Sequence, residues 1–315
     1  MDALIKNAFV LGAGLGTRLG RLTAGRPKPL IPVCNKPLIT FAFDHLIAAG
    51  ITKFVVNTHH CHEAYDRVFP GKCYRGMPVS FRHEEILLET AGGVKNVEDL
   101  LQDEPFIVYN GDVLSDLPVE KAMKHHLDAG NEVTLVLRSS GGPPAISFDE
   151  KSGRITDVRQ QLRPDIPGKF LFTGIYIVNP EFFPRIPAGE VISVRPIFCE
   201  MIRRGEKLGG IVLDEGQWWD LGTREQYLAV HRHFKKTPPP AFSLPPWIAP
   251  DARIGSGSRL AGATTAGAGT AIGDGVQIED CVLWENVEVV AGASLRNCIV
   301  TSGRRIGGAH TDADF

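Results

Sequence analysis

Through the first two-thirds of the chain, short runs of β-branched and aromatic residues alternate with segments of helical period. The pattern predicts strands over Ala8–Leu11, Lys53–Thr58, Val79–His83, Phe106–Tyr109, Glu132–Arg138 and Leu171–Val178. It predicts helices over Ile39–Ala49, Val119–Ala129, Arg195–Arg204 and Arg224–Phe234. Gly50 and Gly130 follow the first two where a left-handed C-cap belongs, and Gly205 follows the third. Strands alternating with helices imply a parallel or mixed sheet covered by helices, an α/β fold.

The texture changes at Thr237-Pro-Pro-Pro-Ala-Phe-Ser-Leu-Pro-Pro246, whose prolines forbid a helix or a central strand. Residues 238–246 read as a linker that divides a first domain, 1–237, from a second, 247–315. In the second, Ile248, Ile254, Leu260, Ala266, Ile272, Ile278, Trp284 and Val290 recur at every sixth position. That period fits neither a helix nor an alternating strand. It fits the hexapeptide repeat of a parallel β-helix, in which each step points one apolar residue inward, and roughly three coils are expected before residue 301. Gly303–Phe315 breaks the register and is expected to fray.

Composition narrows the class. The 315 residues are 43% hydrophobic and 22% charged, enough to bury a core in two domains. Lys plus Arg number 34 against 36 Asp plus Glu, without the basic excess of a nucleic-acid binder. Mean hydropathy is −0.03, and no apolar run approaches the ~18 residues of a transmembrane helix. The apolar stretch within Met1–Gly14 is too short for a secretory signal. Six scattered cysteines form no CxxC pair and suggest no disulfide framework. A soluble cytoplasmic protein is expected.

The candidate chemistry opens at Leu11-Gly12-Ala13-Gly14-Leu15-Gly16-Thr17-Arg18 and continues in Arg26-Pro27-Lys28-Pro29-Leu30. A strand delivers three alternating glycines, whose N–H groups can turn toward an anion with no Cβ in the way. Neither the GxGxxG nor the Walker A pattern matches. Arg18 and Lys28 beside a ring of amide donors are what a triphosphate needs. Asp112 closes Asn110-Gly111-Asp112 after an apolar strand, at the end where open α/β sheets place ligands. A carboxylate there can hold Mg²⁺, and Asp220, after Trp218-Trp219, is the natural second ligand. The simpler alternatives are that Asp112 makes a turn, that Asp220 caps the helix beginning near Thr223, and that Thr90 is an ordinary N-cap. Thr58-His59-His60-Cys61-His62 is too tightly spaced to wrap one zinc and reads as a loop at the sheet's rim.

Gly14-Leu-Gly-Thr-Arg-Leu19 followed by Pro27-Lys-Pro-Leu30 resembles the signature of the sugar-1-phosphate nucleotidyltransferases, or NDP-sugar pyrophosphorylases. The resemblance continues through Leu88–Gly93, Asn110–Asp112, Phe172–Tyr176 and Trp218–Thr223, and the hexapeptide domain is common in that family. It implies a Rossmann-like mixed-sheet catalytic domain followed by a short left-handed parallel β-helix. It implies nucleotide binding by Leu11, Gly12, Ala13, Gly14, Gly16, Thr17, Thr90, Gly92, Gly93 and Asn110, with Arg18 and Lys28 catalytic. Asp112 and Asp220 would hold Mg²⁺, and Thr173 and Gly174 would make room for the sugar. The family's Glu-Lys-Pro lysine is absent from Val158-Arg-Gln-Gln-Leu-Arg-Pro164; Arg163 or Lys169 stands available in its place.

The implied reaction joins an NTP to a sugar 1-phosphate and releases pyrophosphate. The compact catalytic domain with a short β-helix looks most like the mannose-1-phosphate guanylyltransferases, using GTP. A uridylyltransferase acting on an amino-sugar or other hexose 1-phosphate, and a non-catalytic nucleotide-sugar sensor, are the alternatives. A hexapeptide acyltransferase is disfavoured, because His310 is the only histidine past the linker. Self-association through the β-helix is expected, without a part for that domain in the chemistry.

Overall fold

The computed structural model describes residues 5–315, which form two compact units. One holds the described residues up to Leu15 with Phe41–Trp219; the other holds Gly16–Thr40 with Asp220–Phe315. None of the described helices is long and apolar enough to cross a membrane.

The first unit is built on a ten-stranded mixed sheet. Its order is Ile146–Asp149, Arg154–Val158, Leu208–Val212, Val133–Arg138, Leu171–Val178, Phe106–Asn110, Asn7–Leu11, Lys53–Thr58, Met77–His83 and Cys73–Tyr74. Phe106–Asn110, Asn7–Leu11, Lys53–Thr58 and Met77–His83 run parallel. Leu171–Val178 is antiparallel to both of its neighbours. On one face Phe9, Val55, Val108, Leu135 and Tyr176 belong to a buried cluster with Val94, Leu101, Phe198 and Met201. Apolar burial at these alternate strand positions drives the packing of helices onto the sheet. Helices occupy Ile39–Ala48, Val119–Ala129 and Val194–Arg203, the second closed by Gly130 in the left-handed region.

Every predicted strand is present, but the sheet strands Cys73–Tyr74, Ile146–Asp149, Arg154–Val158 and Leu208–Val212 were not foreseen. Two glycines disguise the last. A Cβ at Gly209 would lie 2.1 Å from Asn131 Nδ2, and one at Gly210 would lie 2.8 Å from Ile155 Cδ1. The strand requires glycine for close approach, against its low strand propensity.

In the second unit, helix Arg224–Lys236 starts at a capping box. Thr223 accepts from Gln226 N–H at 3.3 Å, and the Gln226 side chain accepts from Thr223 N–H at 3.0 Å. Residues 238–246 carry no regular structure, as their prolines require, although Phe242 is buried. Beyond them, short strands stack in parallel into sheets of four, four and three, consistent with a left-handed β-helix.

Two expectations about this domain need correction. The strict six-residue register fails after Ile278: Ala271 pairs with Glu288, one residue short of three full hexapeptides. Inward positions therefore pass to Leu283, Val289, Leu295, Val300 and Ile306, which fill the core. Trp284 and Val290 lie one residue outside that register. Trp284 is nevertheless buried, donating its indole N–H to Tyr227 Oη at 3.1 Å. The last residues do not fray. Arg305–Ile306 and Ala309–Thr311 continue the stack. Phe315 closes it, its N–H bonded to Ile299 O at 2.9 Å and its ring 4.9 Å from that of His310. At the opposite end, inward Ile254 stays 48% exposed.

Candidate active site

The parallel register aligns Leu11 with Asn57 and Asn110, so the chain segments after these strands leave the sheet along one rim. There Gly12 N–H donates to Asn57 Oδ1 at 2.8 Å, and Gly12 O accepts from Tyr65 Oη at 2.9 Å. A Cβ at Gly12 would stand 2.7 Å from both Asn57 O and Tyr65 Oη, so only glycine fits. Among the described residues, a Cβ at Gly14 would meet nothing within 4 Å. The glycine loop passes from the first unit to the second between Leu15 and Gly16.

Three side chains that sequence reasoning missed organise this rim. Asn57 donates from Nδ2 to Glu84 Oε1 at 2.7 Å, and Glu84 Oε2 accepts from Leu88 N–H at 3.0 Å. Both residues are buried. Gly93 fits over the pair, since a Cβ there would lie 2.9 Å from Asn57 Nδ2 and 3.1 Å from Glu84 Oε1. Asn57 and Glu84 thereby tie the glycine loop to the Thr90–Gly93 turn, and Tyr65 holds Gly12 from the other side. The available signal was a polar Asn57 ending an otherwise apolar strand core.

Thr90 caps no helix of its own. Helix Glu89–Lys95 has no side-chain cap, and Thr90 Oγ1 instead accepts from Val194 N–H at 2.9 Å. Gly92 packs tightly, a Cβ being 2.5 Å from Glu190 O. At the next strand end, Gly111 N–H donates to Leu11 O at 3.0 Å, which sets Asp112, half-buried, just past the sheet. Gly174, at φ 78°, lies against the Asn110 side chain; a Cβ would be 2.6 Å from Asn110 Nδ2. Thr173 is fully buried and spends its hydroxyl on the backbone, donating to Val136 O at 2.8 Å. Lys169 and Arg163 are exposed.

The second unit brings Arg18, Lys28 and Asp220 together. Arg18 Nη2 lies 3.6 Å from Asp220 Oδ2, and Lys28 Nζ lies 3.6 Å from Asp220 Oδ1. Lys28 sits in a short 3₁₀ turn that begins after Pro27, with Leu30 N–H bonded to Pro27 O at 2.9 Å. Gly222 makes room for Arg18, since a Cβ would be 2.5 Å from its Nη2. Thr223, not Asp220, caps the following helix, which leaves the Asp220 carboxylate on the two cations.

No group of three or more His, Cys, Asp or Glu side chains among the described residues could hold a metal ion, and the histidine-rich loop is no exception. There His59 Nδ1 bonds Glu84 O at 2.7 Å, and the His62 ring centre lies 4.2 Å from that of His83 with the rings tilted by 39°. Asp112 and Asp220 are both partly exposed oxygen donors. Such donors suit Mg²⁺, which binds through one or two carboxylates and takes other oxygens from phosphates and water.

The family model for Nucleotidyl transferase matches residues 7–237. A mannose-1-phosphate guanylyltransferase of Mycobacterium tuberculosis is 30% identical over 91% of this chain and 82% of its own length. The mannose-1-phosphate guanylyltransferase catalytic subunit beta of Danio rerio is 29% identical over 95% and 87%. The crystal structure of HddC from Yersinia pseudotuberculosis superimposes with a TM-score of 0.61 at 20% identity, covering 71% of this chain and 97% of that one, a likeness of fold. Enzymes of this kind act on nucleoside triphosphates and sugar phosphates and use a divalent metal. By its sheet, its ordered motifs and these matches, the chain belongs to the Nucleotidyl transferase family and is a sugar-1-phosphate nucleotidyltransferase.

Proposed function

We propose that this enzyme condenses GTP with mannose 1-phosphate, giving GDP-mannose and pyrophosphate. The choice of base and sugar is supported by the names of relatives that match nine-tenths of the chain. The chemistry rests on one observation, the placement of Arg18 and Lys28 on the single carboxylate of Asp220.

In-line attack of the sugar phosphate oxygen on the α-phosphorus needs positioning and charge neutralisation, and no covalent nucleophile. Arg18 with the amides of Gly12, Ala13, Gly14, Gly16 and Thr17 holds the β- and γ-phosphates and stabilises the departing pyrophosphate. Lys28 faces the α-phosphate. Leu11, Thr90, Gly92, Gly93 and Asn110 bind the nucleoside. Asp112 and Asp220 hold Mg²⁺, which supplies charge neutralisation at the phosphates when bound. Thr173 and Gly174 shape the sugar site through backbone, the Thr173 hydroxyl being already engaged. Lys169 takes the sugar phosphate in place of the family's missing lysine.

Residues 1–237 carry catalysis and residues 247–315 carry assembly, joined by 238–246. Assembly as a homo-oligomer through the β-helix is supported by its apolar end at Ile254, an uncovered core position. Six free cysteines and the nucleotide substrates support a cytoplasmic location.

A panel of nucleoside triphosphates against sugar 1-phosphates, read by pyrophosphate release, tests the proposal. GTP with mannose 1-phosphate should give the highest kcat/KM. Preference for UTP with an amino-sugar phosphate would reassign the substrates, and binding without turnover across the panel would make the chain a sensor.

A further inference from the structure

The residues that carry Lys28 are fastened to the β-helix. Arg26, two positions earlier, donates from Nη1 to Glu285 Oε2 at 3.3 Å and from Nη2 to Glu285 Oε1 and to Ser302 Oγ, the last at 3.2 Å. Its guanidinium lies 5.0 Å from the centre of the Trp284 ring. Burial opposes the charge on Glu285, but the hydrogen bond and charge of Arg26 prevail and hold its carboxyl below the usual range.

Past Lys28 the segment is held by helix Arg224–Lys236 as well as by the β-helix. Tyr227, which accepts from the Trp284 indole, donates its hydroxyl to Pro32 O. Cys34 N–H donates to His231 Nε2 at 3.0 Å. Asn35 Nδ2 donates to Trp247 O at 3.0 Å and to Ala266 O at 3.2 Å. Pro27 and Pro29 stiffen the backbone on either side of Lys28. The ammonium therefore goes where these anchors place the segment, and its 3.6 Å reach to Asp220 is near the limit of an ion pair.

An arginine committed to a carboxylate, a hydroxyl and an indole face has a different task from that of Arg18, although Arg26 directly precedes Pro27-Lys-Pro-Leu30. We propose that Glu285 is a positioning residue for the reaction: through Arg26 and the Trp284 ring, the β-helix sets the place of Lys28. The inference rests on the reading of Lys28 as a phosphate-binding cation. It gives the β-helix a role in chemistry that the repeat pattern alone did not suggest.

The test is a double-mutant cycle on the full-length enzyme, with steady-state kinetics in GTP and mannose 1-phosphate and a thermal unfolding midpoint for each variant. Glu285→Gln keeps the side-chain volume and removes the charge. It should lower kcat roughly tenfold to a hundredfold, the range that a misplacement of about 1 Å produces, with KM for GTP changed less than about threefold. In a Lys28→Ala background the same change should lower kcat by less than about twofold, because the group it positions is gone. Arg26→Lys, which keeps a charge and loses the two-pronged geometry, should repeat the pattern and serves if Glu285→Gln does not fold. Wild-type kcat in Glu285→Gln overturns the proposal, as does a defect that multiplies undiminished in the Lys28→Ala background. Full activity of Lys28→Ala alone overturns instead the reading of Lys28, and the proposal with it.

Discussion

Lys28 meets Asp220 within the second unit: the ammonium, on a side chain only 6% exposed, lies 3.6 Å from Oδ1. Arg18 reaches Oδ2 at the same distance from a side chain 63% exposed. One cation is buried by packing, and the other is largely open to solvent. Asp220 is the shared anion of both, so its removal should be felt in turnover and in folding.

Asp220→Ala should lower kcat at least a hundredfold, since a lost metal ligand typically costs several kcal/mol in the transition state. Asp112→Ala should do the same. Asp220→Ala should also lower the thermal unfolding midpoint measurably, because it takes an anion from a buried ammonium. Full turnover of either variant at saturating Mg²⁺ would remove that aspartate from the metal site.

Gly222→Ala should separate the Arg18 guanidinium from its present place, because the new Cβ would lie 2.5 Å from Nη2. The obstacle is the end of a flexible side chain, so stability should change by no more than about 1 kcal/mol. A charge-assisted contact is worth about 1.5–3 kcal/mol, so kcat should drop by roughly tenfold or more. Arg18→Ala should match it in direction. Unchanged kcat in Gly222→Ala, beside a large loss in Arg18→Ala, would show that Arg18 works from another position.

Ile254→Asp places a charge on the exposed end of the β-helix core. Sedimentation of the variant and the parent at equal concentration should show the variant as the smaller species, with kcat preserved. If both sediment alike, the end at Ile254 is not the surface of association.

His231 sets a pH dependence. Burial holds its imidazole at about 4. The neutral ring donates from Nδ1 to Tyr227 O at 2.7 Å and accepts Cys34 N–H at Nε2. An unfolded histidine titrates near 6.5, so between about pH 6.5 and 4 the unfolded chain holds a proton that the folded chain lacks. Stability contributed by the neutral ring is present above that window and is lost as pH falls through it. The loss from pH 7 to 5 should be about 2 kcal/mol. Urea midpoints at the two pH values should fall less in His231→Gln; an equal fall in both proteins would assign the acid sensitivity elsewhere.

Much of this fold was legible because it is written in local patterns. Lys53–Thr58 and Leu171–Val178 match their apolar runs residue for residue, and Gly130 ends its helix in the left-handed region. Backbone stereochemistry and burial of alternate residues act over a few positions, so they leave a trace in a short window. Leu208–Val212 was missed because its glycines answer to Asn131 and Ile155, partners distant in sequence. Asn57 and Glu84 were missed for the same reason, since a buried polar pair is defined by its partner.

From sequence alone came the α/β class, the repeat domain, the glycine loop with its two cations, and the two aspartates at strand and turn ends. Each is a property of spacing along the chain. Tertiary structure decided which groups share a charge: Arg18, Lys28 and Asp220 gather in one unit because residues 16–40 pack with the C-terminal segments. It decided that the β-helix drops a residue in its later coils, turning Trp284 out of the core and onto Arg26. It also decided that the last residues close the coil, because an open stack of inward apolar side chains is stabilised by covering its end. Hydrophobic burial and ion pairing depend on neighbours in space, and linear spacing does not record which neighbours a fold will supply.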